Sequence, residues 1–209
     1  MVGKVSDGEK RKQIVDRSRA LFLERGFSAL SMEEIASLQG ISKKTLYRYF
    51  PNKAALSEAA IEERILEVVA EIQRIADDPG LPLLRRLRGV LRVVSRQIAA
   101  LGENLVKDLY YHYPELWERI DRFRRERVFG VITRLFEEGI REGYFRRDIE
   151  PRLVPVLFIN AVSTVMTPAQ LVSLPFPPVQ LFDSFFRILF GGILTDDARH
   201  EFFSEEGAI

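Results

Sequence analysis

The sequence predicts an all-α protein of 209 residues, in which a small N-terminal unit of three helices precedes a larger helical unit. Apolar residues recur at helical spacing along almost the whole chain, and capping residues, glycines and prolines divide the pattern into about nine helices. A hydrophobic content of 46% is enough to bury a sizeable core. We place the first unit, the head, at residues 8–53 and the second, the body, at residues 54–200.

The head contains a local helix pair within residues 31–53, SMEEIASLQGISKKTLYRYFPNK. Ser31 and Glu34 have the spacing of a capping box, which satisfies two backbone donors at the start of a helix. An apolar stripe follows at helical spacing, formed by Met32, Ile35, Ala36 and Leu38. Gly40 then suits a sharp turn, since glycine tolerates positive φ. The first helix of the pair should therefore end at a short, well-defined turn.

The second helix of the pair begins after Ser42, a good N-cap, and ends at about Phe50, because Pro51 disfavours helix in the residue before it. Leu46 and Phe50 are four residues apart and should face inward. The remaining side chains are mostly basic or carry hydroxyl groups. Such a pair is typical of a helix-turn-helix that places its second helix in the DNA major groove.

Two kinds of DNA contact are expected from this surface. Lys43 and Lys44 lie in the first turn, where a recognition helix approaches base edges, and lysine can donate to guanine. Hydroxyl and ammonium groups elsewhere suit phosphate oxygens, which set the register without reading the sequence. The alternative is a solvated basic face on an ordinary helix. The predicted DNA-contacting residues are Ser31, Ser42, Lys43, Lys44, Thr45, Tyr47, Tyr49 and Lys53.

Residues 10–56 resemble the DNA-binding domain of the TetR/AcrR family of bacterial one-component regulators. The matching segments are ALFLERGF, SMEEIASLQGISKKTLYRYF and PNKAAL, in that order. The resemblance implies that the positions predicted above, other than Ser42, contact DNA, with Tyr47, Tyr49 and Lys53 the most consistent. It also implies a homodimer, and a body that holds a small molecule whose binding spreads the two heads.

The distribution of charge independently favours a polyanion partner at one end of the chain. The overall formal charge is only +1, but residues 1–53 contain 11 Lys or Arg against 6 Asp or Glu. The remaining residues contain 20 against 24. A basic head on an acidic body is typical of a nucleic-acid contact confined to one end.

Several classes of function are disfavoured by the residues that are missing. The chain has no cysteine and only two histidines, His112 and His200, and it has no glycine-rich phosphate loop or HExxH spacing. We therefore expect no enzymatic activity, no metal site and no cofactor. Without an apolar run of roughly 18 residues or a signal peptide, the protein is expected to be cytoplasmic and not membrane-bound.

The body reads as a series of longer helices. A helix continuing from the head to about Asp77 is a natural lever between the two units. Further helices are expected at about 82–101, 103–112, 114–143 and 150–167, with a final one at 181–190.

The last third of the chain predicts self-association. Twelve of the 15 phenylalanines lie beyond residue 120, and LFDSFFRILF at 181–190 is apolar on nearly every side. Such a helix should bury one face in its own domain and the other against a partner, although a central core helix of a monomer is the alternative. We expect this helix and that at 150–167 to form a four-helix bundle between two subunits. The predicted interface residues are Phe182, Phe185, Phe186 and Leu189.

A ligand pocket in the body is predicted from aromatic and polar residues in its helices. Tyr110, Tyr113 and Trp117 lie near the junction of two helices, and Asn160 with Thr164 interrupts an apolar helix at i,i+4. Buried polar groups need partners, and a ligand is one possible partner besides intramolecular hydrogen bonds or water. An apolar or aromatic effector would suit this lining.

The sequence thus predicts a homodimeric transcriptional regulator that represses from a palindromic double-stranded operator and is released by a small apolar or aromatic effector. The alternative is a related DNA-binding protein without an effector, which acts as an architectural or spatial regulator through protein contacts.

Overall fold

The computed structural model describes residues 6–100, 103–150, 152–165, 167–173 and 175–204. Within these ranges the structure is helical apart from turns and one isolated β-bridge, between Phe145 and Leu194. The helices are α1 (Asp7–Arg25), α2 (Met32–Leu38), α3 (Lys43–Tyr49), α4 (Lys53–Ala76), α5 (Leu83–Ala99), α6 (Glu103–Tyr111), α7 (Pro114–Phe123), α8 (Phe129–Arg141), α9 (Leu153–Val165), α10 (Pro168–Ser173), α11 (Pro178–Ile193) and α12 (Asp196–Ser204). A π-helical turn at Arg124–Val128 joins α7 to α8.

The all-α class predicted from the sequence is confirmed, but the number of helices is larger than nine. The helix expected at 114–143 consists of α7, the π turn and α8. The short helices α10 and α12 were not predicted. In α12 only Ala198 and Phe202 are buried hydrophobics, which is too few to produce a recognisable helical period.

The core of the body is built largely from phenylalanine rings on α8, α9 and α11. Phe186 lies at its centre, with ring centroids 5.4 Å from Phe158, 4.3 Å from Phe182 and 5.6 Å from Phe190. Phe136 extends the stack, 5.9 Å from Phe190. Because aromatic rings bury large areas and pack in preferred geometries, this cluster fixes how the three helices meet.

The core of the head extends into the body. Residues of α1, α2 and α3 pack in one cluster with the first turns of α4 and with Leu105, Leu109 and Leu116 from α6 and α7. The Phe27 ring lies 5.5 Å from that of Tyr113, and the backbone N–H of Ser28 donates to the Asp108 carboxylate at 2.8 Å. The head therefore packs against α4, α6 and α7.

One glycine in the body reflects close helix packing. Gly89 lies within α5, where glycine costs up to about 1 kcal/mol relative to alanine. A Cβ atom at this position would lie 2.8 Å from Cγ2 of Ile75 on α4. The absence of a side chain at Gly89 thus allows α5 to pack closely against α4.

Among the helices of the described ranges, none combines the length and the apolar character that a membrane span requires.

Candidate DNA-binding surface

Local hydrogen bonds position the α2–α3 pair as the sequence predicts. Ser31 and Glu34 form the full capping box of α2, and the side chain of Ser42 accepts from the backbone N–H of Thr45 at the start of α3. Gly40 has a φ of 66°, in the left-handed region where glycine is favoured. The turn between the two helices is therefore fixed by backbone and capping contacts.

The two faces of α3 separate cleanly. Leu46 and Phe50 are 0% and 3% exposed and anchor the helix in the core of the head. The side chains of Lys43, Lys44 and Tyr47 are exposed on the outer side. This face combines positive charge, aromatic rings and hydroxyl groups, which suits a DNA duplex.

Two of the predicted lysines are already engaged within the head. The Lys43 ammonium lies 3.0 Å from the Glu33 carboxylate on α2, and this contact lowers the pKa of Glu33. The Lys53 ammonium donates to the backbone oxygens of Phe27 and Leu30, both at 3.0 Å. Lys53 thus ties the α1–α2 loop to the start of α4 and keeps one ammonium hydrogen for another acceptor.

The predicted hydroxyl groups also have intramolecular partners. The Ser31 hydroxyl lies 2.7 Å from Glu34, and the hydroxyls of Ser42 and Thr45 lie 2.8 Å apart. These contacts stabilise the two helix starts. The Ser31 hydroxyl uses its single donor hydrogen on Glu34, whereas one hydroxyl of the Ser42–Thr45 pair keeps an O–H that can donate to a phosphate oxygen.

Arg48 and Tyr49 form a cluster with Asp7 of α1, and this cluster was not predicted from the sequence. The Arg48 guanidinium donates to the Tyr49 hydroxyl at 2.5 Å and to Oδ1 of Asp7 at 2.6 Å. The Tyr49 hydroxyl donates to the same carboxylate oxygen at 2.6 Å, and this hydrogen bond raises the pKa of Tyr49. Asp7 is 41 residues from Arg48 in the chain, so no local pattern could have indicated the cluster.

The residues predicted to line a ligand pocket differ in their burial. Tyr113 and Trp117 are half-buried against the core of the head, and Tyr110 is 44% exposed. Asn160 and Thr164 lie on the exposed side of α9, where the Asn160 amide donates to the backbone oxygen of Val156 at 2.8 Å. None of the five lines the groove described below, and their role in ligand binding stays a prediction.

The residues predicted at the dimer interface differ in how deeply they are buried. Phe182 and Phe186 are both 0% exposed within the chain's own core, so their side chains cannot reach a partner. Phe185 and Leu189 are half-buried and also pack against that core. The prediction is therefore wrong for Phe182 and Phe186. The exposed apolar side chains of α9 and α11 include Leu153, Val156, Leu157 and Ile188.

A groove of about 340 Å³ lies between α4 and α7 and was not predicted. Its apolar lining includes Leu66, which is 62% exposed. Arg119 on α7 crosses to α4, where it pairs with Glu58 at 3.1 Å and with Glu62. The lining residues are Glu58, Ile61, Glu62, Ile65, Leu66, Leu116, Arg119, Arg122, Phe123 and Glu126. The sequence does indicate such a groove, because on each of these two helices an apolar stripe lies beside a charged face.

The described residues contain no group of three or more histidine, aspartate or glutamate side chains placed to hold a metal ion.

The fold and the outer face of α3 define a helix-turn-helix DNA-binding protein. The family model for bacterial regulatory proteins of the tetR family matches residues 14–60, which cover α2, α3 and the flanking parts of α1 and α4. The chain therefore contains an N-terminal DNA-binding domain like that of the bacterial tetR-family regulators. It is a transcriptional regulator and not an enzyme.

Similar proteins match over nearly the whole chain. An uncharacterised HTH-type transcriptional regulator of Bacillus subtilis, YvaF, is 26% identical over 89% of this chain and 96% of its own length. The HTH-type transcriptional repressor KstR2 of Mycobacterium tuberculosis is 27% identical over 90% of this chain and 94% of its own. A solved structure of AibR, in complex with isovaleryl coenzyme A and operator DNA, covers 87% of this chain and 98% of its own, with 20% identity and a TM-score of 0.55. That last likeness concerns the fold alone.

Proposed function

We propose that the protein is a homodimeric repressor that binds a palindromic operator through two copies of α3. The outward face of α3, with Lys43, Lys44 and Tyr47 exposed above a buried Leu46, is the observation that supports this most strongly. Two recognition helices related by a twofold axis can read successive major grooves, which are about 34–36 Å apart. In this proposal residues 8–53 bind DNA, residues 54–200 bind the effector and the second subunit, and the protein acts in the cytoplasm, where the chromosome lies.

Dimerisation through α9 and α11 is supported by the apolar side chains that they expose. Ile188 is 77% exposed and Leu157 is 60% exposed, although both helices bury their other sides in the phenylalanine core. Gly191 and Gly192 have open space where a Cβ atom would lie, so a second helix can approach closely there. Two such helices from each subunit form a four-helix bundle, with the same patch on both subunits.

The groove between α4 and α7 is the proposed effector site. It is apolar at its base and charged at its rim, which suits a small apolar or aromatic molecule with a polar end. The α4 helix contributes Leu56, Ala59 and Ala60 to the core of the head, so a molecule that separates α4 from α7 also moves the head.

Substitutions on α3 test DNA binding directly. Replacing Lys44 with glutamine should change the preference among operators selected from genomic fragments, because a first-turn lysine meets base edges. Replacing Tyr47 with phenylalanine should weaken binding to all duplexes, since phosphate contacts do not depend on sequence. Anisotropy titrations over a range of salt concentrations measure both effects.

Arg134→Gln on α8 serves as the control for a lost positive charge, because this residue pairs with Asp77 in the body. If the α3 variants bind every duplex as the wild type does, then α3 is not the DNA-contacting helix.

Thermal unfolding with a panel of small apolar and aromatic compounds tests the effector. A ligand present at about a hundred times its Kd should stabilise the native state by roughly 2.7 kcal/mol and weaken operator binding. Ile65→Trp, which fills the groove with a larger side chain, should abolish both that gain and the effect of the compound on operator binding. If none of the compounds both stabilises the protein and weakens operator binding, the alternative of a regulator that acts through protein contacts without an effector is favoured.

A further inference from the structure

One oxygen atom near the recognition helix accepts two short hydrogen bonds, from the exposed Arg48 and the half-buried Tyr49. Oδ1 of Asp7, in the first turn of α1, lies 2.6 Å from both the Arg48 guanidinium and the Tyr49 hydroxyl. The side chains of Asp7 and Arg48 are 78% and 64% exposed, so the cluster lies at the surface of the head. The two donors converge on a single anionic oxygen.

A phosphodiester oxygen would satisfy the same two donors. Guanidinium groups form charge-assisted hydrogen bonds with phosphate as readily as with carboxylate, and tyrosine hydroxyls are common phosphate ligands in DNA complexes. Arg48 and Tyr49 belong to α3, the helix proposed to enter the major groove, where the duplex backbone passes beside its ends. The Asp7 carboxylate therefore occupies a position suited to a phosphate.

We propose that Arg48 and Tyr49 form a binding subsite for a DNA phosphate, and that Asp7 competes with the DNA backbone for it. This inference rests on the proposed function in DNA binding. A duplex has to displace Asp7 from both donors before its phosphate can bind. The displaced carboxylate then remains beside the phosphate and repels it.

Asp7 is not needed to build the surface around it. The start of α1 is capped by Ser6 and Glu9, which form a complete capping box. The Arg48 guanidinium lies 4.7 Å from the centre of the Tyr49 ring, and this cation–π contact keeps the two donors together. Removing the Asp7 charge should therefore leave the pair assembled and open to an external anion.

Competition of this kind lowers affinity for every duplex by a similar factor, because the contact is to the backbone. Non-specific binding depends almost wholly on such backbone contacts, whereas operator binding also includes contacts to bases. When Asp7 lowers the affinities for the operator and for non-specific DNA by the same factor, a smaller fraction of the protein is bound to non-specific DNA at a given concentration. Asp7 would thus limit how strongly the regulator is held by the rest of the chromosome.

The test compares Asp7→Asn with Glu24→Gln in the full-length protein. Both variants raise the net charge by one, but Glu24 lies near the opposite end of α1, beside Arg25. Affinity for a duplex of arbitrary sequence, long enough to span both heads, is measured by anisotropy at low salt. Asp7→Asn should bind roughly two- to fivefold more tightly per head, the range expected for releasing one exposed ion pair, and Glu24→Gln should bind more nearly as the wild type does.

A double-mutant cycle separates competition from a general charge effect. In an Arg48→Gln background the gain from Asp7→Asn should largely disappear, because the group that Asp7 holds is gone. A gain that persists there, or an equal gain in Glu24→Gln, overturns the inference. Weaker binding by Asp7→Asn also overturns it, since Asp7 would then position the donors. If the wild type binds no duplex at all, DNA binding itself fails and this inference fails with it.

Discussion

Replacing Ile188 with glutamate is expected to convert the protein from dimers into monomers. Ile188 is 77% exposed in the single chain, so a glutamate there costs the fold of one subunit little. In the proposed bundle the same carboxylate becomes buried against an apolar face, and burying an unpaired charge costs several kcal/mol. The twofold axis also brings the two copies of the patch together, which adds repulsion between like charges. Sedimentation velocity at matched protein concentrations measures the change.

Operator binding should fall together with dimerisation, because a single head makes mostly non-specific contacts. Leu66→Glu is the matched control, since Leu66 is a comparably exposed aliphatic residue at 62%, but it lies in the groove on α4. The control should remain dimeric. If Ile188→Glu sediments as the wild type does, the exposed face of α11 is not the interface.

The features of the head that follow from neighbouring residues could be predicted from the sequence. The capping box at Ser31, the turn at Gly40 and the inward direction of Leu46 and Phe50 each depend on residues within a few positions. Backbone sterics and helical periodicity govern such features, so the chain near residue 40 specifies them without help from distant contacts.

Contacts between distant parts of the chain could not be predicted. Asp7 meets Arg48 across 41 residues, and Asp108 meets Ser28 across 80. Neither pair has a local signal, because each depends on how helices are arranged after they form. The Arg48–Tyr49 cluster and the seating of the head on α6 therefore became visible only in the structure.

The sequence could not indicate which faces of α9 and α11 are buried. A helix that is apolar on nearly all sides has little amphipathic asymmetry, so periodicity cannot assign its buried side. Phe182 and Phe186 were predicted at the interface because the helix at 181–190 is apolar on nearly every side. In the structure these large rings fill the core, and the smaller side chains of Leu157 and Ile188 are exposed.

Replacing Phe186 with alanine is expected to destabilise the fold itself without altering the interface. Phe186 is 0% exposed and contacts the rings of Phe158, Phe182 and Phe190. Truncating a buried phenylalanine to alanine costs about 3–5 kcal/mol, through lost transfer energy and the cavity left behind. For a chain of this size the midpoint of thermal unfolding should fall by roughly 6–20 °C.

Because unfolding of a dimer depends on protein concentration, the Phe186→Ala variant and the wild type must be compared at the same concentration by calorimetry or circular dichroism. Phe203→Ala is the control, since Phe203 is 38% exposed and its truncation should lower the midpoint far less. Below its unfolding transition Phe186→Ala should still sediment as a dimer. If it kept the wild-type midpoint and sedimented as a monomer, Phe186 would face the partner subunit, and the division between a phenylalanine core and an aliphatic interface would be wrong.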